Sequence, residues 1–528
     1  MQHIPAAPVR RQPIPVLVAA AVCGALALSS CSSPSPKPAG TASAPKQGGE
    51  ITFARLSSEI TTLDPHAPSS ITINAYTLDK IFDTLYALDA SGTPEPSLAE
   101  SHEITDDGLT WTFTLREGVK FSDGSELDAE DVVYSINRHL ELGGYVPLTA
   151  PIAGVKAEGP LTVGIELETP YTPLLSELSI FSSSILPADL GGKPEETFFE
   201  NPVGTGPFKV GKWDKASGEF DLVRNDNYWV EGLPYLDTVH LTTVEDDNQL
   251  VQQVLSGQTE IVDDVPIANV AELESSNDVE VFQVGSWNQD IVFFNNASPA
   301  FSDRALRRAV AQAVDREALT SATTFGTGTA ATTFIPNAIR YSDQSAAALT
   351  YDVDKARTEL AASDHATGTK VSLTVEGGSQ SRAQQAQIIQ SSLAEIGVEV
   401  EIETVDNATF WQRFPAGQYD FALSTIIADT ADPDNICTWQ VYGKGATRSF
   451  YTSYNNDDVN RLVEQGRAEP DGDKRAQIYS DIQKLVSEDA PSLPLDYVSE
   501  IKAVRGEVKG LELIPNGTVR LERVWIDR

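Results

Sequence analysis

The sequence predicts an α/β protein with more than one domain. Its 528 residues and 56.9 kDa exceed what one hydrophobic core usually holds, so two or three domains are expected. Two stretches, 239–263 and 371–402, alternate strand, helix and strand in the manner of a βαβ unit. The formal net charge of −38 argues against nucleic acid or an anionic lipid surface as partner, because both would repel the chain. It suits cationic or zwitterionic small ligands, although acidity also keeps secreted proteins soluble.

The chain begins with the pattern of an export signal. Arg10 and Arg11 precede an apolar run from Ile14 to Leu28, which is short for a membrane-spanning helix. The small residues before Cys31 match the bacterial lipobox, after which the cysteine carries lipid. We therefore expect residues 1–30 to be a signal peptide. A plain secretory signal with a chance cysteine is the alternative, and the export route, general secretory or twin-arginine, stays open.

Residues 31–47 predict a flexible tether. After Cys31 the segment consists mainly of Ser, Pro, Gly and Ala, which cannot build a core. The folded body is therefore expected on the extracytoplasmic face of the cell membrane, held there by a lipid anchor at Cys31.

The first folded elements follow this tether. Residues 50–56 alternate as a strand and lead into a polar loop over 57–65. Apolar spacing predicts a helix over 74–85. Further on, Trp111 to Leu115 alternates as a strand, and a helix is expected over 129–140.

The middle of the chain contains the first βαβ pattern. The Pro- and Gly-rich loop 202–208 precedes a strand, Phe208 to Trp213, and lacks the spacing of a phosphate-binding loop. A strand over 239–244, a helix over 248–255 and a strand over 260–263 follow. The loop 202–208 is expected to return the chain to a domain that it left earlier.

The last third contains the second βαβ pattern. A helix capped by Ser302 precedes it. The unit itself consists of a strand at 371–375, a helix at 381–396 and a strand at 398–402. A short apolar run, 421–427, predicts a buried strand, and a helix over 474–486 precedes the terminal strands.

An acidic turn directly follows the buried strand at 421–427. Asp429, Asp432 and Asp434 lie within six residues, with Pro433 expected to block a strand or helix and Asn435 to favour a turn. Ligands of α/β domains bind at strand ends, so this turn is a candidate for gripping a cationic atom such as an amine. The alternative is a solvated turn in which these side chains only cap backbone groups.

The sequence carries no recognisable catalytic, metal or cofactor motif. Its three cysteines, Cys23, Cys31 and Cys437, form no disulfide framework, and its six histidines lack metal-ligand spacing. Neither Gly-x-Ser-x-Gly nor His-Glu-x-x-His occurs, which disfavours a secreted hydrolase. We expect no enzyme activity, no metal and no cofactor.

Several segments, in order, resemble the extracellular solute-binding proteins of the peptide/nickel/opine class (family 5), which serve ABC importers. The similarity runs from about Gly48 to Ile526. The segments that carry it are TLDP at 62–65, LAE at 98–100, WTFTLREGVKFSDG at 111–124, DVVYS at 131–135, GTGPF at 204–208, RNDNYW at 224–229 and DRALRRAVAQAVDR at 303–316.

This resemblance implies an α/β fold of the class II periplasmic-binding-protein type, bilobal with an extra domain. Domain I is expected to combine residues 48–77, 202–288 and 494–528. Domain II covers 78–201 and shares the first lobe, and domain III, 289–493, forms the second. The lobes of such proteins close around ligand, here by a hinge expected near Ser286 to Asn295 and Pro491 to Ser499.

The resemblance also implies ligand contacts. Peptide-binding members grip the ligand's α-amine with an aspartate before an Asp-Pro turn, a position that Asp429 occupies. Family members often carry Trp three residues earlier, where this chain has Ile426, so its side-chain pocket is expected to differ. The further candidates are Arg382 for a carboxylate, Trp287, Asn288 and Trp439 as pocket walls, and Ser58 and Glu59 in the polar loop.

The implied function is capture of a small solute, most simply a di- or oligopeptide, and its delivery to the permease subunits of an ABC importer. The expected protein is a monomeric lipoprotein. Two alternatives stay open. One is a non-peptide solute such as a nickel complex, an opine or a sugar, and the other is a sensing receptor.

Overall fold

Two long paired strands, β12 (Val279–Phe294) and β17 (Ser492–Arg505), connect the two halves of the molecule. By the two halves we mean the two predicted lobes, one with domains I and II and the other with domain III. The computed structural model describes residues 44–55, 60, 62–70, 72–215, 217–244, 246–347, 349–365, 368–445 and 449–528. The predicted signal peptide, Cys31, Ser58 and Glu59 lie outside these residues.

The strands of the described residues have the following bounds: β1 Glu50–Arg55, β2 Tyr86–Leu88, β3 Pro94–Pro96, β4 Ala99–Ile104, β5 Thr110–Leu115, β6 Ile152–Gly159, β7 Thr162–Leu167, β8 Phe208–Asp214, β9 Glu219–Arg224, β10 Thr238–Thr243, β11 Ile261–Val262, β12 Val279–Phe294, β13 Thr329–Ala330, β14 Lys370–Glu376, β15 Glu399–Val405, β16 Phe421–Ile427, β17 Ser492–Arg505, β18 Val508–Lys509 and β19 Trp525–Ile526.

The α-helices of the described residues are α1 Thr72–Ile81, α2 Ala129–Leu142, α3 Leu174–Glu177, α4 Glu195–Phe198, α5 Asp247–Ser256, α6 Val270–Glu274, α7 Arg304–Ala313, α8 Arg316–Thr323, α9 Val353–Ala362, α10 Gln380–Glu395, α11 Asn407–Arg413, α12 Pro433–Gln440, α13 Asp457–Ala468 and α14 Asp473–Asp489. Within the described residues, none of these helices is long and apolar enough to cross a membrane.

The main sheet has the strand order β15-β14-β16-β12-β17-β11-β1-β10-β9-β8, with β13 added to β17. Both predicted βαβ units are present. Strands β14 and β15 pair in parallel directly, whereas β10 and β11 lie on either side of β1 and pair with it in parallel. A separate sheet, β4-β5-β7-β6, is antiparallel and lies in the predicted domain II.

Strands β12 and β17 pair antiparallel over most of their length. Their register is interrupted between Gly285 and Gln289 and again between Asp290 and Ile291. These irregularities fall within the predicted hinge, and the predicted domain boundaries at 288/289 and 493/494 lie at the same crossing. Irregular pairing provides the local freedom that a hinge between two halves requires.

Two predictions from the sequence, the cap of α7 and the effect of Pro433, were wrong. Helix α7 is capped by Asp303 rather than Ser302, because the Asp303 carboxylate accepts hydrogen bonds from the backbone of Ala305 and Leu306. Pro433 begins α12 instead of preventing a helix, since the first helical position needs no backbone N–H donor.

Candidate functional site

A cavity of about 360 Å³ lies where the C-terminal end of β16 meets the opposite half of the molecule. Its volume is in the lower part of the range, roughly 300–1,000 Å³, of small-molecule sites. From β16 and the following turn, Ile427, Ala428 and Asp429 line it. The charged and aromatic residues of the other walls are Asp79, Lys80, Phe82, Asp83, Glu95, Phe181, Tyr228, Trp229, Arg520, Glu522 and Arg523.

Asp429 lies at the mouth of a buried strand, as the sequence predicts. Strand β16 is buried over most of its length, and Asp429, two residues after its end, is partly exposed. Its backbone N–H donates to the side-chain oxygen of Asn435 at 3.1 Å, which fixes the turn. Asp429 also acts on Tyr451: burial is the main cause that raises the pKa of the Tyr451 hydroxyl, and the charges of Tyr145 and Asp429 add to the rise. Asp429 therefore combines a fixed backbone with a place in the cavity wall.

Asp432 and Asp434 do not line the cavity. Asp432 caps α12 by accepting a hydrogen bond from the Asp434 backbone, as the alternative interpretation of the turn expects, and it also pairs with the buried Arg475 at 2.7 Å. Asp434 pairs with Arg467 at 2.7 Å. Burial raises the pKa of Asp432 although the Arg475 charge opposes it. Both carboxylates are therefore committed to internal ion pairs.

The wall opposite Asp429 carries both signs of charge. Lys80 pairs with Asp79 at 2.6 Å, and Arg520 pairs with Glu95 at 2.8 Å. Arg523 is exposed and, among the residues that the structure describes, is in no ion pair. It is a cation that could meet an anionic group of a ligand.

Two further carboxylates on this wall lack a cationic partner. Asp83 accepts a hydrogen bond from the indole N–H of Trp229 at 2.9 Å, and neither Asp83 nor Glu522 is in an ion pair within the described part of the chain. Burial raises the pKa of Asp83 to about 6, and it also raises the pKa of Glu522.

The predicted wall residues Trp287 and Asn288 lie away from the cavity. Trp287 is fully buried, and its ring packs so closely on Gly92 that an added Cβ there would lie 2.1 Å from it. Asn288 donates to the Glu500 carboxylate at 2.7 Å. Trp287 therefore packs against the loop between β2 and β3, Asn288 links β12 to β17, and neither side chain lines the cavity.

Arg382 and Trp439 also lie outside the cavity lining. The Arg382 guanidinium pairs with Glu376 at 3.0 Å and donates to Thr425 at 3.2 Å, so its donors are already engaged. Trp439 packs edge-on against Phe450 and lines a narrow gap beside Thr438. Arg382 and Trp439 are therefore not part of the proposed binding site.

The two halves touch next to the cavity. The hydroxyl of Tyr171, in the predicted domain II, lies 2.9 Å from the Asp434 carboxylate and 2.7 Å from that of Glu177. The Thr172 backbone donates to the carbonyl of Arg467 at 2.7 Å, and its hydroxyl donates to that of Glu469 at 2.9 Å. These contacts connect residues 171 and 172 to α12 and α13.

Sequence reasoning missed most of the wall opposite Asp429. Asp83 follows the end of α1, Trp229 belongs to a recognisable segment but has no ligand-binding pattern, and Arg520 to Arg523 lie near the C-terminus. Their roles depend on segments that meet only after folding. The described residues also contain no cluster of three or more His, Cys, Asp or Glu side chains arranged to hold a metal ion.

The comparisons with known proteins agree on one family. The family model of bacterial extracellular solute-binding proteins, family 5 (middle region), matches residues 93–448. The glutathione-binding protein GsiB of Escherichia coli K12 is 26% identical over 487 residues, covering 87% of this chain and 91% of that protein.

Solved structures show the same fold. The periplasmic binding protein DppA of Helicobacter pylori, in complex with the peptide STSA, matches with a TM-score of 0.80 and 25% identity over 92% of this chain and 99% of its own. AgaA of A. tumefaciens R10, in complex with agropinic acid, matches with a TM-score of 0.79 and 27% identity, over 91% and 99% of the two chains. These likenesses confirm the predicted α/β, bilobal fold of the class II type.

Proposed function

The chain belongs to the bacterial extracellular solute-binding proteins of family 5, and from this premise we propose that it captures a di- or oligopeptide and delivers it to the permease of an ABC importer. Its relatives are binding proteins, and it is not an enzyme. The position of Asp429, held at the end of a buried strand in the cavity wall, is the observation that carries the choice of an amine-bearing solute.

Two contacts define the proposed binding mode. Asp429 binds the α-ammonium of the peptide, because its carboxylate belongs to a residue that lines the cavity and can accept a charge-assisted hydrogen bond from an ammonium. Arg523 binds the carboxylate at the other end, since it lines the same cavity without an ion pair among the described residues. The cavity volume favours short peptides over long ones.

A non-peptide solute is the second candidate. It is favoured by the 27% identity to AgaA, which was solved with agropinic acid. Such an acid also presents a carboxylate, so Arg523 would have a partner in either case, and the two candidates differ chiefly in whether Asp429 meets a primary ammonium.

Native mass spectrometry of the protein purified from its own host tests the proposal, because a closed site often retains its solute. Titration calorimetry with the released solute then compares the parent with Asp429→Asn. We expect affinity to fall by roughly 2–5 kcal/mol, or about 30-fold to several thousand-fold, because the ammonium loses its counter-charge. Asp106→Asn, in an exposed turn between β4 and β5, is the matched control. Equal affinity of Asp429→Asn and the parent would contradict the amine contact.

The anchoring of the protein is part of the same proposal. The family acts outside the cytoplasm. The lipobox before Cys31 and the tether after it support attachment of the mature protein to the membrane by lipid at this cysteine. Cell fractionation of Cys31→Ala should recover the protein in the medium or as an uncleaved precursor. A processed form that stays in the membrane fraction would contradict lipidation of Cys31.

A further inference from the structure

The charges on the wall opposite Asp429 do not balance. The cations Lys80 and Arg520 are already neutralised by Asp79 and Glu95. Arg523, the other cation of this wall, is in no ion pair among the described residues and is assigned above to the carboxylate of the ligand. Asp83 and Glu522 remain, and we call these two residues the acidic floor. Among the described residues neither carboxylate of the acidic floor is in an ion pair, although both line the cavity.

The partners of the acidic floor are mainly neutral. Asp83 accepts from the Trp229 indole at 2.9 Å, and the groups that act on it besides Trp229 are the Thr205 hydroxyl and the carboxylates of Glu522 and Asp79. Burial dominates the raised pKa of Asp83, and no cation is among the main influences on it. A carboxylate in such surroundings gains most from a cation that comes with the ligand, because the charged form is otherwise costly.

Glu522 has cations only at longer range. Burial raises its pKa, while the charges of Lys80 and Arg520 act in the opposite direction and Asp79 adds to the rise. Neither cation comes within ion-pair distance of Glu522 in the described structure, and each has a closer carboxylate of its own. Neither carboxylate of the acidic floor therefore has a cation at ion-pair distance among the described residues, and a cation of the ligand would fill that position.

We propose that the solute carries a second cationic group, which binds at the acidic floor of Asp83 and Glu522 while its α-ammonium binds Asp429. The substrate class is then a short peptide with a lysine or arginine side chain. This inference rests on the proposed function and deepens it.

The dimensions of the cavity agree with this class. Its volume of about 360 Å³ equals that of a sphere roughly 9 Å across, and an extended lysine side chain reaches about 6 Å from its Cα. A peptide held by Asp429 can therefore place a lysine ammonium on the opposite wall. Glutathione, by contrast, has two carboxylates and one ammonium, and it would bring negative charge towards the acidic floor.

A pair of matched probes tests the proposal. Alanyl-lysine and alanyl-norleucine differ only in the lysine ammonium, and both are titrated into the purified protein, freed of endogenous solute, at pH 7. We expect alanyl-lysine to bind about 10- to 100-fold more tightly. In the double variant Asp83→Asn with Glu522→Gln, which keeps hydrogen-bond acceptors for Trp229, this preference should fall below about threefold, whereas Asp106→Asn should retain it.

The pH dependence of the parent protein provides a readout that needs no variant. Asp83 has a pKa of about 6 without a cation nearby, and a bound ammonium favours its ionised form. The preference for alanyl-lysine should therefore decrease from pH 7 to pH 5, as Asp83 becomes protonated before binding. Both probes keep their amino groups charged over this range.

The outcomes separate the two proposals. Equal binding of the two dipeptides at pH 7, or tighter binding of glutathione than of alanyl-lysine, overturns the acidic-floor inference while leaving Asp429 and the importer role intact. Binding of neither dipeptide, together with a native solute whose affinity ignores Asp429→Asn, overturns the proposed function itself.

Discussion

At the scale of single residues, the buried Asp496 and the partly buried Asp290 form a pair of carboxylates on the crossing strands. They lie opposite one another in the β12–β17 ladder, and the side chain of Gln385 donates to both, at 2.8 and 3.3 Å. Thr425, which also receives a hydrogen bond from Arg382, donates to Asp290. Burial, and then the charge of Asp290, raise the pKa of Asp496 to about 8. Asp496 is therefore protonated at neutral pH.

This pair makes stability fall as pH rises. Because the pKa of Asp496 is higher in the folded state than in the unfolded state, its contribution to stability is fully present below the unfolded pKa of about 3.9 and is lost as pH rises through the folded pKa of about 8. From pH 7 to pH 9 the parent should lose about 1.4 kcal/mol through this group. Asp496→Asn keeps the shape and has no proton to lose, so its melting temperature should fall less over this interval. An equal fall in parent and variant would exclude Asp496 as the source, and Asp106→Asn should behave as the parent does.

At the scale of elements, helix α12 has its first turn fixed by an ion pair as well as by a cap. Asp432 accepts from the Asp434 backbone and pairs with Arg475, which has no exposed side-chain surface. Arg475 belongs to α14, so one aspartate fixes the start of α12 and joins it to α14. This arrangement holds the turn that carries Asp429.

Two substitutions of Asp432 should separate cap from ion pair. Asp432→Ser keeps a capping oxygen but leaves the Arg475 guanidinium without its main partner, and we expect a loss of about 3–5 kcal/mol in stability. Asp432→Ala should cost about 0.5–2 kcal/mol more, because the cap is lost as well. Chemical denaturation measures both. Asp471→Ala, which removes the other, half-exposed partner of Arg475, is the control and should cost less. Full stability of Asp432→Ser would show that the ion pair contributes nothing.

At the scale of the whole molecule, residues 171 and 172 join the two halves beside the cavity. Tyr171 is buried between Glu177 in its own half and Asp434 in the other. Burial raises the pKa of Glu177 and the charge of Asp434 adds to the rise, whereas the hydrogen bond from Tyr171 lowers it. The contacts of Tyr171 and Thr172 with α12 and α13 can form only when the halves meet.

Tyr171→Phe should therefore weaken ligand binding without touching the ligand. The variant loses the hydrogen bond to Asp434, and a charged hydrogen bond is worth about 1.5–3 kcal/mol, so affinity should fall roughly 10- to 100-fold. Small-angle scattering should show a smaller ligand-induced decrease in radius of gyration than in the parent. The melting temperature without ligand is the control for damage within one half. Unchanged affinity would mean that the contact does not contribute to closure.

The sequence by itself determined most local elements. Strand β16 has the predicted bounds, Phe421 to Ile427. Helix α5 is terminated, as predicted, by Gly257 directly after its last residue, and the positive φ at this position suits glycine. Such elements follow from periodicity and from hydrogen bonds between near neighbours, which are written in consecutive residues. The placement of Asp429 just past the end of this strand also followed, because the strand and the turn are adjacent in the chain.

Only the tertiary structure decided which charges face the cavity. Asp429 and Asp434 look alike in the sequence, yet Asp434 is held by Arg467 and by Tyr171, which lies 263 residues away along the chain. Arg382, a plausible carboxylate contact by its position, is paired with Glu376, whereas Arg523 at the far end of the chain lines the cavity. The physical reason is that an ion pair depends on distance in space: packing of remote segments determines which charged groups neutralise one another and which line the cavity.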